Sequence, residues 1–453
     1  MKITWKWMPY ILTVLCAAVY VSLVFNNNLW LDEAFSASII RCGFREMISR
    51  TASDTLPPFY NVAAWCFTRI FGYSPVSLKL FSVLPMVLLM LVSSSFLSKA
   101  ASPGVAGIYI LLITSMPYML EHGVEIRMYS WALFFASASA IFAMCYMKDI
   151  RGSLPCLVIS TVLGAYTHQY ALITEVYIWL MLLVFFVRRK QILTWVKPAV
   201  LCIALYIPCG ILTIFQLGAA TSYFSASAPS AANFLSSLRY PFVTHYTVWS
   251  ALLLAAVALL FVAALADKDS IAAYYISIFA LETVMSYGVM AVTGSTFFSS
   301  RYLMPAIGIM WLGTAIAVSD IPFDRMPSFA RIGIYAVLTW LVIITLILVY
   351  SRQHDEEYTD TSAFEEFIDS TDADDGYVIC EDFPEIQVCL VYYAPWLTAY
   401  TLDDIDSVKG DRYLLVNENS KSAGEVHPEE KIDLKYLGTY SFDRYTFKAY
   451  AMQ

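Results

Sequence analysis

Through the first 350 positions, apolar residues run in long blocks that polar residues interrupt only at intervals. The blocks lie near 8–25, 75–98, 103–120, 128–147, 153–170, 171–187, 198–216, 248–266, 270–292, 302–318 and 332–350. Each is long enough to cross about 30 Å of hydrocarbon as a helix. The fifth and sixth form one run broken at Thr167-His168-Gln169, which reads as a tight hairpin at a membrane face. The first block runs into Asn26-Asn27-Asn28 and lacks a small-residue cleavage site, so it reads as an uncleaved helix. After position 350 the pattern changes. Phe364–Ile368 reads as part of a helix, and Tyr377–Cys380, Tyr413–Val416, Leu434–Tyr440 and Tyr445–Tyr450 read as strands. The expected fold is therefore a polytopic α-helical membrane protein with about eleven transmembrane helices, residues 1–350, followed by a small soluble α/β domain, residues 351–453.

Composition agrees with two solvents. Hydrophobic residues make up 59% of the chain, charged residues 14%, and mean hydropathy is +0.63. Residues 1–350 carry 20 Lys+Arg against 13 Asp+Glu, and residues 351–453 carry 8 against 23. So acidic a domain repels phosphates, which argues against nucleic acid as a partner. Basic residues of the short loops, above all Arg188-Arg189-Lys190, put the N-terminus inside by the positive-inside bias. An odd span count then puts residues 351–453 outside. The long first outer loop, 26–74, runs against the bias with Arg41, Arg45, Arg50 and Arg69. The nine cysteines show no metal-ligand spacing; Cys380 and Cys389 share the outer domain, where a pairing stays open.

Four polar constellations fall on this outer face. Asp32-Glu33 stands just past the first span, where adjacent acids are costly to desolvate; the plain alternative is a helix N-terminal cap. Asp54 precedes Pro57-Pro58-Phe59-Tyr60, a rigid turn leading into an interfacial helix. Glu125-Ile126-Arg127-Met128-Tyr129 follows Gly123, read as a sharp turn, and Arg127 offers a fork of donors suited to phosphate or carboxylate. Its plain alternative is an ion pair with Glu125 or Asp32. Arg301-Tyr302 opens the tenth span, where a lone arginine commonly snorkels to headgroups. His168 and Glu175, and Glu282 within the ninth span, have ordinary hydrogen-bonding or packing alternatives.

Taken together, these pieces resemble the C-type glycosyltransferases, and within them the protein O-mannosyltransferase-like family 39 that includes the lipid A aminoarabinose transferases. The resemblance covers residues 8–310 and rests on Asp32-Glu33, Pro57-Pro58-Phe59-Tyr60, Glu125-Ile126-Arg127-Met128-Tyr129, Tyr166-Thr167-His168 and Arg301-Tyr302. Many relatives have His directly before the paired prolines, where this chain has Leu56. The resemblance implies inverting transfer of a hexose or pentose from a polyprenyl-phosphate donor to an acceptor hydroxyl of a lipid, glycan or protein, at the outer face of a prokaryotic plasma membrane. It implies Asp32 and Glu33 as the catalytic pair, Asp32 as general base and Glu33 positioning the acceptor or sharing the site's hydrogen bonds. Arg301 and Arg127 would meet the donor phosphate, with Arg239 and His245 as further contacts. Glu125, Tyr129, His168, Tyr302, Asp54 and Tyr60 would line or support the sugar pocket. No cofactor is required by this chemistry, and a divalent metal stays open. The rival classes are a transporter or lipid flippase and a non-catalytic assembly partner. No internal repeat is visible, and the charges gather at one face, which favours chemistry on a membrane-held substrate.

Overall fold

The computed structural model describes residues 2–220, 230–244, 246–267, 270–294, 298–321, 327–370, 377–381, 384–394, 398–400, 412–417, 434–442 and 445–452. Among these, eight helices are long and apolar enough to cross a membrane. Three shorter apolar helices, Lys6–Val21, Pro103–Ser115 and Ser153–Ala165, fall on the remaining three expected runs. Local chemistry explains several starts. Ser74 and Ser102 each accept a hydrogen bond from a backbone amide of the following helix, and each is followed by a proline at the first helical position. His168 does the same for the helix Gln169–Arg188 through its ring, accepting from the Tyr170 amide at 3.0 Å. The hairpin expected at Thr167-His168-Gln169 is present: helix Ser153–Ala165 ends just before it, and helix Gln169–Arg188 starts from it and packs back on the first.

Helices Tyr129–Met147 and Met304–Ser319 form the centre of the bundle. They meet without intervening bulk. A side chain added at Gly308 would sit 2.6 Å from Ser137 Oγ, and Gly313 allows the same close approach to a third helix, Ile271–Thr293, where an added side chain would sit 2.8 Å from the Ala272 carbonyl. Both helices begin at the same end, so Tyr129 of one faces the short 3₁₀ turn Ser300–Leu303 that leads into the other. Outer helices such as Ile192–Ala220 and Thr247–Ala264 keep large apolar side chains exposed, among them Phe215, Ile203 and Leu259. Such a surface is stable against lipid and not against water.

The first outer loop is mostly helical: Leu31–Arg41, Phe44–Ser53 and Phe59–Phe71. The last follows Pro57-Pro58, as the sequence led one to expect. Phe35, Phe44, Ile70 and Phe71 are exposed on these short helices, as on helices lying in a membrane interface. Two of the four arginines that run against the positive-inside bias have local uses. Arg50 pairs with Glu46 at 2.7 Å, and Arg69 lies 4.9 Å over the Trp65 ring while donating to the Cys42 carbonyl.

The last apolar run forms helix Ser328–Glu357, which continues past residue 350 and carries its final turn into the outer domain. Among the described residues that domain holds helices Ser362–Ser370 and Pro384–Tyr393 and five strands: β1 Tyr377–Glu381, β2 Thr398–Tyr400, β3 Arg412–Asn417, β4 Leu434–Phe442 and β5 Tyr445–Met452. The sheet order is β2-β1-β3-β5-β4. Four strands match the expected ones, whereas β2 and helix Pro384–Tyr393 were not anticipated. β1 and β2 are parallel, and parallel neighbours need a crossover, here that helix. Phe364 and Phe367 pack against Phe447 to form the core of this domain. The side chain of Cys380 lies outside the described residues, so its pairing with Cys389 has no structural answer here.

Candidate functional site

Four segments distant in sequence converge at one end of the bundle. Helix Leu31–Arg41 supplies Asp32 and Glu33, and the connection Glu125–Met128 supplies Glu125 and Arg127. His168 comes from a helix start, and Arg301 and Tyr302 come from the 3₁₀ turn. Arg301 Nη1 lies 2.6 Å from Asp32 Oδ2. The same guanidinium sits over two rings, 5.4 Å from the centre of Trp30 and 5.8 Å from that of Tyr129. Arg127 does not pair with Glu125. Its Nη1 donates to Ser36 Oγ at 3.0 Å and, at 3.4 Å, to the Asp32 carbonyl, so it braces the turn that presents Asp32.

Glu33 points the other way from Asp32, as adjacent helical residues do. It is buried, and its carboxyl accepts from the Ile126 amide at 2.8 Å and from the Trp30 amide at 3.3 Å. The first bond joins the first outer loop to the Arg127 segment. Burial, partly opposed by Lys79 and reinforced by Glu357 and Glu125, pushes the Glu33 carboxyl up to about 8. Glu33 therefore holds its proton more tightly than an exposed glutamate does.

Rings fill the space beside the two arginines. Tyr129 lies 6.0 Å from His168 and 6.5 Å from Tyr302, centre to centre, and His168 lies 5.3 Å from Tyr302. Burial and the neighbouring Arg127 and Arg301 hold the His168 imidazole down at about 3. It is neutral, its Nδ1 is the acceptor for the Tyr170 amide, and its proton is assigned to Nε2. Among the described residues Arg127 Nε, Arg301 Nε, His168 Nε2 and Tyr129 Oη are all buried without a hydrogen-bond partner. Buried polar atoms are nearly always paired in folded proteins. Four such donor groups around one carboxylate make a set suited to an anionic or oxygen-rich ligand.

Two residues that the sequence reading did not single out belong to the site. His122 places Nδ1 2.7 Å from Glu125 and Nε2 2.7 Å from the hydroxyl of Tyr240. Tyr240 stacks on Tyr118 with ring centres 4.0 Å apart. Neither had a local signal, since the contact spans about a hundred residues of chain; only the outer-face position of both segments could have hinted at it. Gly123 plays a different part from the expected turn. It lies inside the short helix Met119–Val124, and an added side chain would sit 2.2 Å from the Tyr20 ring. The chain reversal falls instead on Tyr118, with φ +64°.

The remaining expected residues are further out. Asp54 and Tyr60 line one small cavity with Arg127, though Asp54 is occupied capping the Thr55 amide at 2.7 Å. Arg239 is exposed at the last turn of helix Ala231–Arg239, and its neighbour Tyr240 is the residue that turns inward. His245 lies outside the described residues. Glu175 and Glu282 are buried in the bundle, where each accepts from a threonine hydroxyl: Thr161 at 3.1 Å and Thr174 at 2.9 Å. Among the described residues no group of His, Cys, Asp or Glu is arranged to hold a metal ion.

No family model and no curated protein matches this chain. Solved structures do. ArnT from Cupriavidus metallidurans superposes with a TM-score of 0.61 in the apo state and 0.63 bound to undecaprenyl phosphate. Each match has 12% identity over 98% of this chain and 97% of the other. An oligosaccharyltransferase from Archaeoglobus fulgidus, in complex with Zn and sulfate, superposes with a TM-score of 0.51 at 12% identity over 95% of this chain and 72% of its own. The alignment with ArnT includes the outer domain as well as the bundle, and the chain has the membrane fold of the C-type glycosyltransferases.

Proposed function

We propose that the chain transfers a sugar from a polyprenyl-phosphate donor to an acceptor hydroxyl at the outer face of a prokaryotic plasma membrane. The observation that carries this is the set of unpartnered donors on Arg127, Arg301, His168 and Tyr129 around Asp32. The undecaprenyl phosphate bound by the ArnT neighbour makes a phosphate the natural ligand for such a set.

In the transfer, the acceptor oxygen forms a bond to the anomeric carbon as the bond from that carbon to the phosphate oxygen breaks. The electron pair leaves with the phosphate, and the acceptor proton passes to Asp32. Attack from the face opposite the leaving group inverts the configuration. Arg301 stabilises the charge that grows on the departing phosphate. The same residue holds Asp32 before the donor arrives, and donor binding would draw its guanidinium toward the phosphate and free the carboxylate for the acceptor hydroxyl. Arg127 fixes the Asp32 turn, while the neutral His168 donates from Nε2 to a phosphate or sugar oxygen. Glu33 is a positioning residue, tied to the Ile126 amide.

The test is thermal stability of the purified protein with undecaprenyl phosphate, and with undecaprenol as a control lacking the phosphate. A rise in melting temperature with the first and not the second, lost in Arg301→Ala, is the expected result. Equal shifts with both lipids, or none, would overturn the donor assignment. Asp32→Asn should keep the shift and lower turnover by roughly 10²–10⁴.

A further inference from the structure

A second cavity, of about 550 Å³, opens at the same end of the bundle, between the last membrane helix and the segment that carries Tyr118. That volume lies within the range of small-ligand sites. Its lining divides into two bands. Ile347, more than half exposed, begins an apolar band together with Leu348 and Val349, on the side where the helix faces lipid. One to three turns further along come Arg352, Asp355 and Glu356, and Glu121 faces them from helix Met119–Val124. Three carboxylates against one guanidinium, itself paired to Glu356 at 2.9 Å, leave this band acidic.

The cavity shares a wall with the candidate site. Tyr118 lines it and stacks on Tyr240, whose hydroxyl reaches His122, which in turn holds Glu125. Tyr118 holds a left-handed backbone conformation that is uncommon for a bulky residue. Outliers of this kind are retained where surrounding structure and function require them. The two openings also differ in charge. Arg127 and Arg301 gather on the Asp32 side, whereas the band beyond Tyr118 repels anions.

Resting on the proposed transfer, we propose that this cavity seats the acceptor, and that the acceptor is an amphiphile with an uncharged, hydroxyl-bearing headgroup. Its apolar chain lies along Ile347–Val349, and its hydroxyls meet the carboxylates of Glu121, Asp355 and Glu356. A phosphate-bearing headgroup is disfavoured here for the same reason that it is favoured at Arg301. Donor and acceptor are thus sorted by charge, on the two sides of the Tyr118–Tyr240 wall.

The test uses the full chain in phosphatidylcholine nanodiscs and a photoactivatable glucosyl diacylglycerol. Labelling is expected within 347–359. Excess unlabelled glucosyl diacylglycerol should reduce it at least about tenfold, and the same excess of phosphatidylglycerol should not. Ser351→Trp, which fills the cavity from an exposed position on its lining, should abolish the label and keep the thermal shift with undecaprenyl phosphate. Label outside this region, or equal competition by phosphatidylglycerol, overturns the acceptor assignment while leaving the donor site standing. Loss of the undecaprenyl phosphate shift in the unmodified protein overturns the transfer reading and this inference with it.

Discussion

Lys79 offers the sharpest test of how the C-terminal domain is fastened to the loop that carries Asp32. It stands in the first turns of helix Pro75–Val92 with no exposed surface and pairs with Glu357, at the end of the last membrane helix. Its ammonium also donates to Asn26 Oδ1 at 2.7 Å and to the Asn28 carbonyl at 2.9 Å. Removing one member of a buried pair typically costs about 3–5 kcal/mol, because the other charge is left uncompensated. Lys79→Met keeps the apolar stem and strands the Glu357 carboxylate. That carboxylate retains two neutral donors, Asn26 Nδ2 at 3.1 Å and Gln353 Nε2 at 3.0 Å, which puts the expected loss near the lower end, about 3 kcal/mol. Glu357→Gln strands the ammonium among three neutral oxygens, two of them already in place, and should cost less, about 2 kcal/mol. The double variant removes both charges and should fall within about 1–2 kcal/mol of the parent. Reversible unfolding by titration with sodium dodecyl sulfate, run as a double-mutant cycle, measures the coupling directly. Additive losses, with the double variant the least stable of the three, would refute the pairing. Limited proteolysis should show the consequence for architecture, since either single variant loosens Ser328–Glu357 from the Asn26–Asn28 stretch that precedes Asp32.

Three further outcomes follow from the same structure. The Glu33 carboxyl is raised to about 8 from an ordinary value near 4.5, so the folded state holds a proton that the unfolded chain releases between those values. Stability should therefore fall as pH rises from about 4.5 to 8 and level off above, and Glu33→Gln should flatten that slope in a pH series of melting temperatures; an unchanged slope would assign it to another group. Gly123→Ala drives a methyl to 2.2 Å from a fully buried tyrosine ring whose hydroxyl donates to the Ile113 carbonyl at 2.6 Å, so the ring cannot swing away. It should cost about 1–3 kcal/mol, whereas Gly288→Ala, in open helical surroundings, should be neutral or stabilise by up to about 1 kcal/mol in the same unfolding assay. His168→Phe keeps a ring of similar size but removes both the Nδ1 acceptor for the Tyr170 amide and the Nε2 donor. It should weaken undecaprenyl phosphate binding by about 1.5–3 kcal/mol, read as the shift of its titration midpoint; unchanged binding would remove His168 from the ligand's surroundings.

The chain by itself determined which segments are apolar enough to cross a membrane and which polar residues stand at the ends of those segments. Long apolar blocks admit hardly any other solvent, and strand alternation in the last hundred residues is a local signal that four of the five strands obey. The short β2 and the crossover helix Pro384–Tyr393 escaped because a three-residue strand has no readable period. The site was legible as a set of residue types, Asp32, Arg127, His168 and Arg301, since each sits beside a span end whose position hydropathy fixes. Their division of labour was not. Asp32 and Glu33 are neighbours in sequence, yet a helix turns them about 100° apart, so one faces Arg301 and the other is buried against the Ile126 amide. His122 and Tyr240 meet across 118 positions, and Lys79 finds Glu357 across 278. No local pattern records such pairs. Only the packing of the bundle brings them together, because close contact between its central helices fixes which ends of which spans coincide.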